Sequence, residues 1–457
     1  MNELFSVNTH KNYIYLATVV LISLVVFATI YDTSLFVATL LVLLTFVLFL
    51  KKPEIALAFF FNGTLIYLYV VYKLGYQTNT ALTGLFYTFL GYSFLLAEML
   101  LLTRQQVTFR VSIVDGLFLL FFFLFFLSYF AFPANNDFAY KKLIYAPFLA
   151  IIPYFGGRFL FSEKRINNFC RYCVFVPVLL IIPAFYELFF TSLPSQRVRF
   201  SMFYFTGATS PDNPILFGST FAVPILIIFV MMFESRKYYL KNLALIAIFG
   251  YFVFLSGSRG VIVSIIVAGS FYLFIVSKTP LKTKLSVIFA FLVLFGISYM
   301  TVPENVSDFY KYSITKAAFQ DTTSSVYMRV VLWREAVSNF IENPFFGIGM
   351  GNFNSISTFP HNIILETAAE FGIIGLFIFI PMVYTTLRKA VVFLRNKQLS
   401  NSHTLMRLLL VLFIYSLIHA MISGHIANQT KLYVCMGAIA CLDNLKYVDN
   451  SLIKAGT

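Results

Sequence analysis

Charged side chains are scarce in this sequence. Asp, Glu, Lys and Arg make up 11% of its 457 residues, while 60% are hydrophobic. An ordinary soluble domain carries about 25% charged residues. Even a large water-soluble fold keeps a substantial polar surface, so this scarcity excludes the soluble classes. Apolar runs long enough to cross a bilayer recur along the whole length. The sequence therefore predicts a helical membrane protein with one continuous membrane domain.

Other absences narrow the chemistry. There is no H-E-x-x-H, no paired D-x-D and no Cys/His cluster with metal-ligand spacing, so neither a metal nor a cofactor is expected. The four cysteines are Cys170, Cys173, Cys435 and Cys441. The lone C-x-x-C at 170–173 has no second pair and no neighbouring His, and reads as two reduced thiols. Acids within apolar runs are few, Glu98 and Glu187 being the main ones. A proton- or sodium-coupled transporter would be expected to bury more ionisable groups near the bilayer midplane. The net charge is +14. On a soluble chain it would suggest nucleic acid, but cytoplasmic loops of membrane proteins carry excess Lys and Arg, and no nucleic-acid partner is expected. No A-x-A cleavage site follows the first apolar run, which reads as an uncleaved span.

The apolar runs predict fourteen spans, at 13–30, 34–50, 55–72, 81–102, 114–132, 142–160, 172–190, 215–233, 240–256, 260–277, 285–301, 372–394, 405–422 and 430–445. Pro147, Pro153, Pro177 and Pro183 interrupt the sixth and seventh. With both termini inside, 22 of the 33 basic residues face the cytoplasm, Arg158 among them, and 11 face out. This asymmetry sets the orientation. The organisation is then a membrane domain over 1–301 (spans 1–11), a periplasmic loop with amphipathic helices over 302–371, and spans 12–14 with a short cytoplasmic tail over 372–457. Five arginines break the positive-inside rule: Arg197 and Arg199, Arg259, and Arg329 with Arg334.

Within the 302–371 loop, a helix is predicted from about Ser325 to Glu342, stopped by Asn343–Pro344. At 100° per residue, Val326, Val330, Trp333, Ala336, Val337 and Phe340 share one face. Arg334, Glu335, Ser338 and Glu342 share the other. Arg329 falls on the apolar face beside Trp333 and points toward the membrane domain. An unpaired cation is costly there, so an anionic partner is implied. Gly347-Ile-Gly349-Met-Gly351 lacks the G-x-G-x-x-G spacing and a preceding strand, and reads as a tight turn rather than a nucleotide loop.

Ser256-Gly257-Ser258-Arg259-Gly260 joins two spans and puts Arg259 at a helix N-terminus, where free N–H groups and the helix dipole attract anions. A snorkelling interfacial arginine is the alternative, but it needs no flanking Gly-Ser pairs. Of the five histidines, His361 shares its compartment with these arginines, and its ordinary pKa suits general-base work. His425 is a weaker second candidate, and His419, inside a span, is as well explained by packing. Arg197 and Arg199 are candidates to contact substrate; a solvated loop explains them equally.

These residues, taken in order, resemble the O-antigen ligase and polymerase family of bacterial envelope glycosyltransferases. Ser256-Gly-Ser-Arg259-Gly260 is similar to the family's small-residue arginine turn. Arg329-Val-Val-Leu-Trp333, then Asn343-Pro344 and Gly347-Ile-Gly349, is similar to its periplasmic-loop signature. His361-Asn362, nine residues, then Gly372-Ile-Ile-Gly375 fits its H-N-x9-G-x-x-G pattern; Gly207 and Asn213-Pro214 fit an upstream element loosely. The specific part spans about 200–380. The resemblance implies an all-α polytopic GT-C-like fold in the bacterial inner membrane, with the active site facing the periplasm. It implies an undecaprenyl-diphosphate-linked glycan as donor. The acceptor is lipid A–core in a ligase, or a second lipid-linked glycan in a polymerase. It also implies Arg259 and Arg329 as diphosphate ligands and His361 as base. Arg197, Arg199, Trp333, Arg334 and Asn362 are candidate substrate contacts, and membrane lipids are the surrounding partners. A protein O-oligosaccharyltransferase of the same family and a non-enzymatic flippase or exporter stay open as alternatives.

Overall fold

The computed structural model describes residues 52–62, 111–132, 137–160, 162–190, 214–234, 239–301, 325–353, 359–395 and 403–441. Their regular structure is entirely helical. In chain order the helices are α1 (Pro53–Asn62), α2 (Ile113–Ala131), α3 (Asp137–Ala146), α4 (Ile152–Arg158), α5 (Glu163–Val178), α6 (Ile181–Phe190) and α7 (Pro214–Glu234). They continue with α8 (Tyr239–Leu255), α9 (Arg259–Phe271), α10 (Leu281–Thr301), α11 (Ser325–Glu342), α12 (Ile363–Arg395), α13 (His403–Ala420) and α14 (Thr430–Ala440). Six helical stretches are long and apolar enough to cross a membrane: Ile113–Ala131, Glu163–Tyr186, Pro214–Glu234, Arg259–Val276, Ile363–Arg395 and His403–Ala420.

The spans expected at 114–132, 215–233, 240–256, 260–277, 285–301 and 405–422 correspond to helices whose ends differ by only a few residues. Those expected at 13–30, 34–50 and 81–102 lie outside the described residues, as does most of 55–72. Two proline-bearing stretches differ from expectation. From Asp137 to Arg158 the chain is continuously helical, because Pro147 opens a π-turn over Pro147–Ile151. The wider turn accommodates a ring that would press on the preceding carbonyl of a regular α-turn. The next helix starts at Glu163 rather than near 172, capped by the Ser162 hydroxyl, which accepts from the Arg165 N–H at 3.3 Å. An apolar-run criterion stops at Lys164, Arg165 and Arg171; the helix does not.

Arg158 is not the loop cation expected from the sequence. It is buried, with Nε 2.9 Å from Asp115 Oδ1. Asp115 closes the capping box of α2 with Ser112 and also accepts from the Tyr154 hydroxyl at 2.6 Å. Nearby, the abundant phenylalanines act as mortar. Phe118 stacks on Tyr154 with ring centroids 3.8 Å apart and meets Tyr433 edge-on at 5.6 Å, joining α2, α4 and α14. Phe121 and Phe125 pack on Phe371 of α12. Such aromatic pairs add about 0.5–1.5 kcal/mol each beyond their area burial.

The segment after α11 fastens it to α12. The Ile348 N–H donates to Ala369 O at 2.9 Å, Gly349 N–H to Glu370 O at 3.1 Å, and Ile373 N–H to Pro344 O at 2.8 Å. Gly347 and Gly372 make this approach possible. Both have positive φ, and a Cβ would drive Gly347 into the Glu370 backbone and Gly372 into the Phe345 carbonyl. Only glycine combines that backbone conformation with that clearance. Gly372 kinks α12 at the position where the expected span 372–394 begins.

Candidate active site

Arg259 and Arg329 converge on one pocket. It is lined by Ile215 of α7, the Gly257–Gly260 turn, Ser325 and Arg329 of α11, and Ile422 and Ser423 of the turn after α13. The α8–α9 turn is built by its small residues. Ser256 Oγ donates to Val253 O at 2.6 Å and accepts from the Ser258 N–H at 3.1 Å, and Gly257 takes φ 60°. The turn places Arg259 as the first residue of α9, where the helix dipole favours an anion. Arg259 Nη2 donates to Ser325 Oγ at 2.9 Å, a bond that joins the turn to the start of α11.

Arg329 has no carboxylate partner among the described residues. Burial, and then the positive charge of Arg259, lowers its pKa from the ordinary guanidinium value. Two like charges share a concave, partly desolvated site, an arrangement that an anion relieves.

The face of α11 is rotated from the one expected. Leu332 and Ala336 are its buried residues and pack with Phe353 and Ala369. Trp333 and Val337 stand at 36% and 44% exposure. Helical periodicity identified the apolar side; the glycine-fastened segment and α12 decide which edge of it is covered. Arg329 lies three and seven residues before Leu332 and Ala336, on that covered edge. Arg334 points away and is exposed.

His361 sits in the turn before α12 with φ 56°, the single non-glycine residue at positive φ among those described. Such a backbone persists only where its surroundings fix it. They do so here. Trp333 Nε1 donates to Pro360 O at 3.0 Å, and Asn362 Oδ1 accepts from the Ile364 and Leu365 N–H groups at 3.0 and 3.1 Å. Asn362 is therefore the N-cap of α12 through its Oδ1, and Trp333 supports the turn. His361 Nδ1 is buried with no hydrogen-bond partner. Burial, and then the charge on Arg329, holds the imidazole at a pKa of about 4, so it is neutral at pH 7 with a lone pair to accept a proton.

Two groups near the turn escaped the sequence reading. Lys142 of α3 lies 2.5 Å from Glu366 Oε1 and 2.6 Å from Glu370 Oε1, all three side chains wholly buried. Glu366 Oε2 also accepts from the Ile426 N–H at 2.9 Å. The cluster thus locks α3, the start of α12 and the turn carrying His425. His425 is buried, its Nδ1 without a hydrogen-bond partner, and its ring meets Phe138 and Phe359 at 5.3 and 5.2 Å. Phe359 also contacts His361, at 4.3 Å. Burial, then the charges of Lys142 and His361, pushes His425 well below the usual histidine range. The second missed group is Lys431 of α14. Its Nζ donates to Ser219 Oγ at 2.9 Å, one turn along α7 from the pocket residue Ile215. An unpaired ionisable residue in an apolar helix is the usual sign of such a group. Arg197 and Arg199 lie outside the described residues, as does Glu98.

Residues 243–380 match the family model described as O-antigen ligase. The matched stretch runs from α8 to the middle of α12 and takes in Arg259, Arg329, Trp333, Arg334, His361 and Asn362. The match bears out the family resemblance read from the motifs over this stretch, and with the apolar helices it supports a membrane glycosyltransferase-like role. No curated protein matches the chain.

Proposed function

We propose that the protein transfers a glycan from an undecaprenyl-diphosphate carrier to an acceptor hydroxyl on the periplasmic side of the bacterial inner membrane, as an O-antigen ligase with lipid A–core as acceptor. One observation carries this reading: two arginines share a pocket, Arg329 meets no carboxylate among the described residues, and its charge is felt by His361, whose Nδ1 has no hydrogen-bond partner. No ATP is present outside the inner membrane, so the donor must bring its own activation, as a glycosyl diphosphate does. The acceptor oxygen attacks the anomeric carbon while His361 takes its proton. The anomeric C–O bond breaks, and the carrier diphosphate leaves with its charge held by Arg259 and Arg329. A single displacement inverts the anomeric centre. Two guanidiniums facing the leaving group supply positive charge without a metal ion.

The acceptor decides between ligase and repeat-unit polymerase, and the H-N-x9-G-x-x-G spacing favours the ligase. A deletion strain complemented with His361→Ala tests both points on a lipopolysaccharide gel. Loss of a general base costs about 10²–10⁴ in rate, so the variant is expected to show the null pattern. A ligase null leaves bare lipid A–core while polymer accumulates on the carrier. A polymerase null leaves core capped with one repeat unit. Normal ladders from well-expressed His361→Ala protein overturn the transferase reading and favour a flippase or exporter, which needs no base.

A further inference from the structure

Helix α11 is amphipathic, yet the described residues cover only one edge of its apolar side. Leu332 and Ala336 are buried, whereas Trp333, Val337 and Ile341, spaced four residues apart, are exposed, Ile341 to 69%. Phe345 and Phe346 follow at 67% and 59%. This strip does not end there. Pro344 and Phe345 accept backbone hydrogen bonds from Ile373 and Ile374, and α12 carries its own exposed strip, Ile373, Phe377, Ile380 and Tyr384. The latter repeats every three to four residues along a helix long and apolar enough to cross a membrane, so it is the lipid-facing side of that span. The α11 strip is its direct continuation. Arg334, Ser338 and Glu342 line the flank beyond it and are exposed.

We infer that α11 lies in the membrane interface, its Trp333–Val337–Ile341 edge and the Phe345–Phe346 corner immersed in the bilayer leaflet at the His361 end of the bundle. The lipid fits for three reasons. The strip joins a surface that already faces acyl chains. Helices with one apolar flank and a charged one bury the apolar flank about 5–10 Å into the headgroup–acyl boundary. Tryptophan favours that same level, its ring in the apolar region and its N–H satisfied by a polar group. Here the indole N–H is bonded to Pro360 O, next to His361. The contact with lipid therefore seats the His361 turn at headgroup depth, where the phosphates of any lipid-linked substrate lie. This placement is independent of which acceptor the enzyme uses.

Trp333 is the only tryptophan in the chain, so the unmodified full-length protein reports on this edge. In nanodiscs made with lipids brominated near the carbonyl end of the acyl chain, Trp333 emission is expected to fall by roughly half or more, as a ring at the headgroup–acyl boundary requires. Aqueous acrylamide is expected to quench it little. Strong acrylamide quenching with no effect of brominated lipid overturns the inference, since the edge then faces water. Shielding from both quenchers also overturns it, since protein then covers the edge. A Trp333→Phe, Ile341→Trp protein repeats the measurement at a residue with no role in the Pro360 contact. The same pattern of quenching there is expected, and its absence overturns immersion of the strip.

Discussion

Lys142 Nζ lies 2.6 Å from Glu370 Oε1, across 228 residues of sequence, with both side chains fully buried. Glu366 shares the same ammonium. One cation thus holds two carboxylates beside the turns that present His361 and His425. Removing one partner of a buried ion pair typically costs about 3–5 kcal/mol, because the remaining charge is stranded. Lys142→Met is therefore expected to lower the thermal midpoint of the purified protein clearly, and adding Glu366→Gln and Glu370→Gln is expected to recover part of the loss. A Lys142→Met protein as stable as wild type would show that water, not Lys142, compensates the carboxylates.

Arg259 divides its guanidinium between Ser325 Oγ and the pocket. A planar fork can do both; a lysine ammonium on a flexible stem cannot hold the same geometry. Arg259→Ala is expected to lower kcat/KM for glycan transfer by about 10²–10³, the usual cost of losing one donor to a developing anion. Arg259→Lys is expected to recover only a small part of it. Transfer assays in proteoliposomes check this, and near-normal turnover in Arg259→Ala would reduce the turn to a structural corner.

Spans such as 215–233 and 405–422 were legible in the sequence because a helix facing lipid must be apolar along its whole length. Arg259 and Arg329 were picked out as candidates because cations on the side expected to carry few of them stand out, and the structure places both in one pocket. Lys142, Glu366 and Glu370 did not stand out. The two glutamates fall in a stretch that reads as a loop, and the lysine that neutralises them is far away in sequence, so nothing local marks the three as a cluster. Arg158 was misread for the same reason, its partner Asp115 lying on another helix. The rotation of α11 was invisible because periodicity reports an apolar side and not what covers it. Asn362 is a case of two readings of one residue type: the spacing flagged it as a motif residue, and its local chemistry is that of a helix cap.

The orientation proposed from loop charges has a direct test. Ser307 lies in the stretch before α11, and Ser400 between α12 and α13. In intact spheroplasts, an impermeant maleimide is expected to label Ser307→Cys and not Ser400→Cys. The four native cysteines are buried and are expected to add little background. The reverse pattern would turn the protein over and place His361 in the cytoplasm.

The last prediction follows from the charge that His361 feels. Burial and Arg329 hold its pKa at about 4, against an ordinary value of about 6.5. A base with a lowered pKa stays unprotonated as pH falls, so the acid limb of kcat/KM, which reports the free enzyme, is expected near pH 4 rather than near 6.5. A bound diphosphate offsets the Arg329 charge, so the acid limb of kcat, which reports the occupied enzyme, is expected at higher pH than that of kcat/KM. Arg329→Gln removes the smaller of the two causes. It is expected to move the kcat/KM limb upward while burial keeps it below 6.5, with the residual rate much reduced. Stability has the same sign. The folded state resists protonating His361, so its contribution is nil above about pH 6.5 and becomes destabilising as pH falls toward 4. Initial rates measured over pH 4–8 with a lipid-linked donor decide the matter. A kcat/KM limb at 6.5 that ignores Arg329→Gln would mean that His361 is not the group whose protonation stops the reaction.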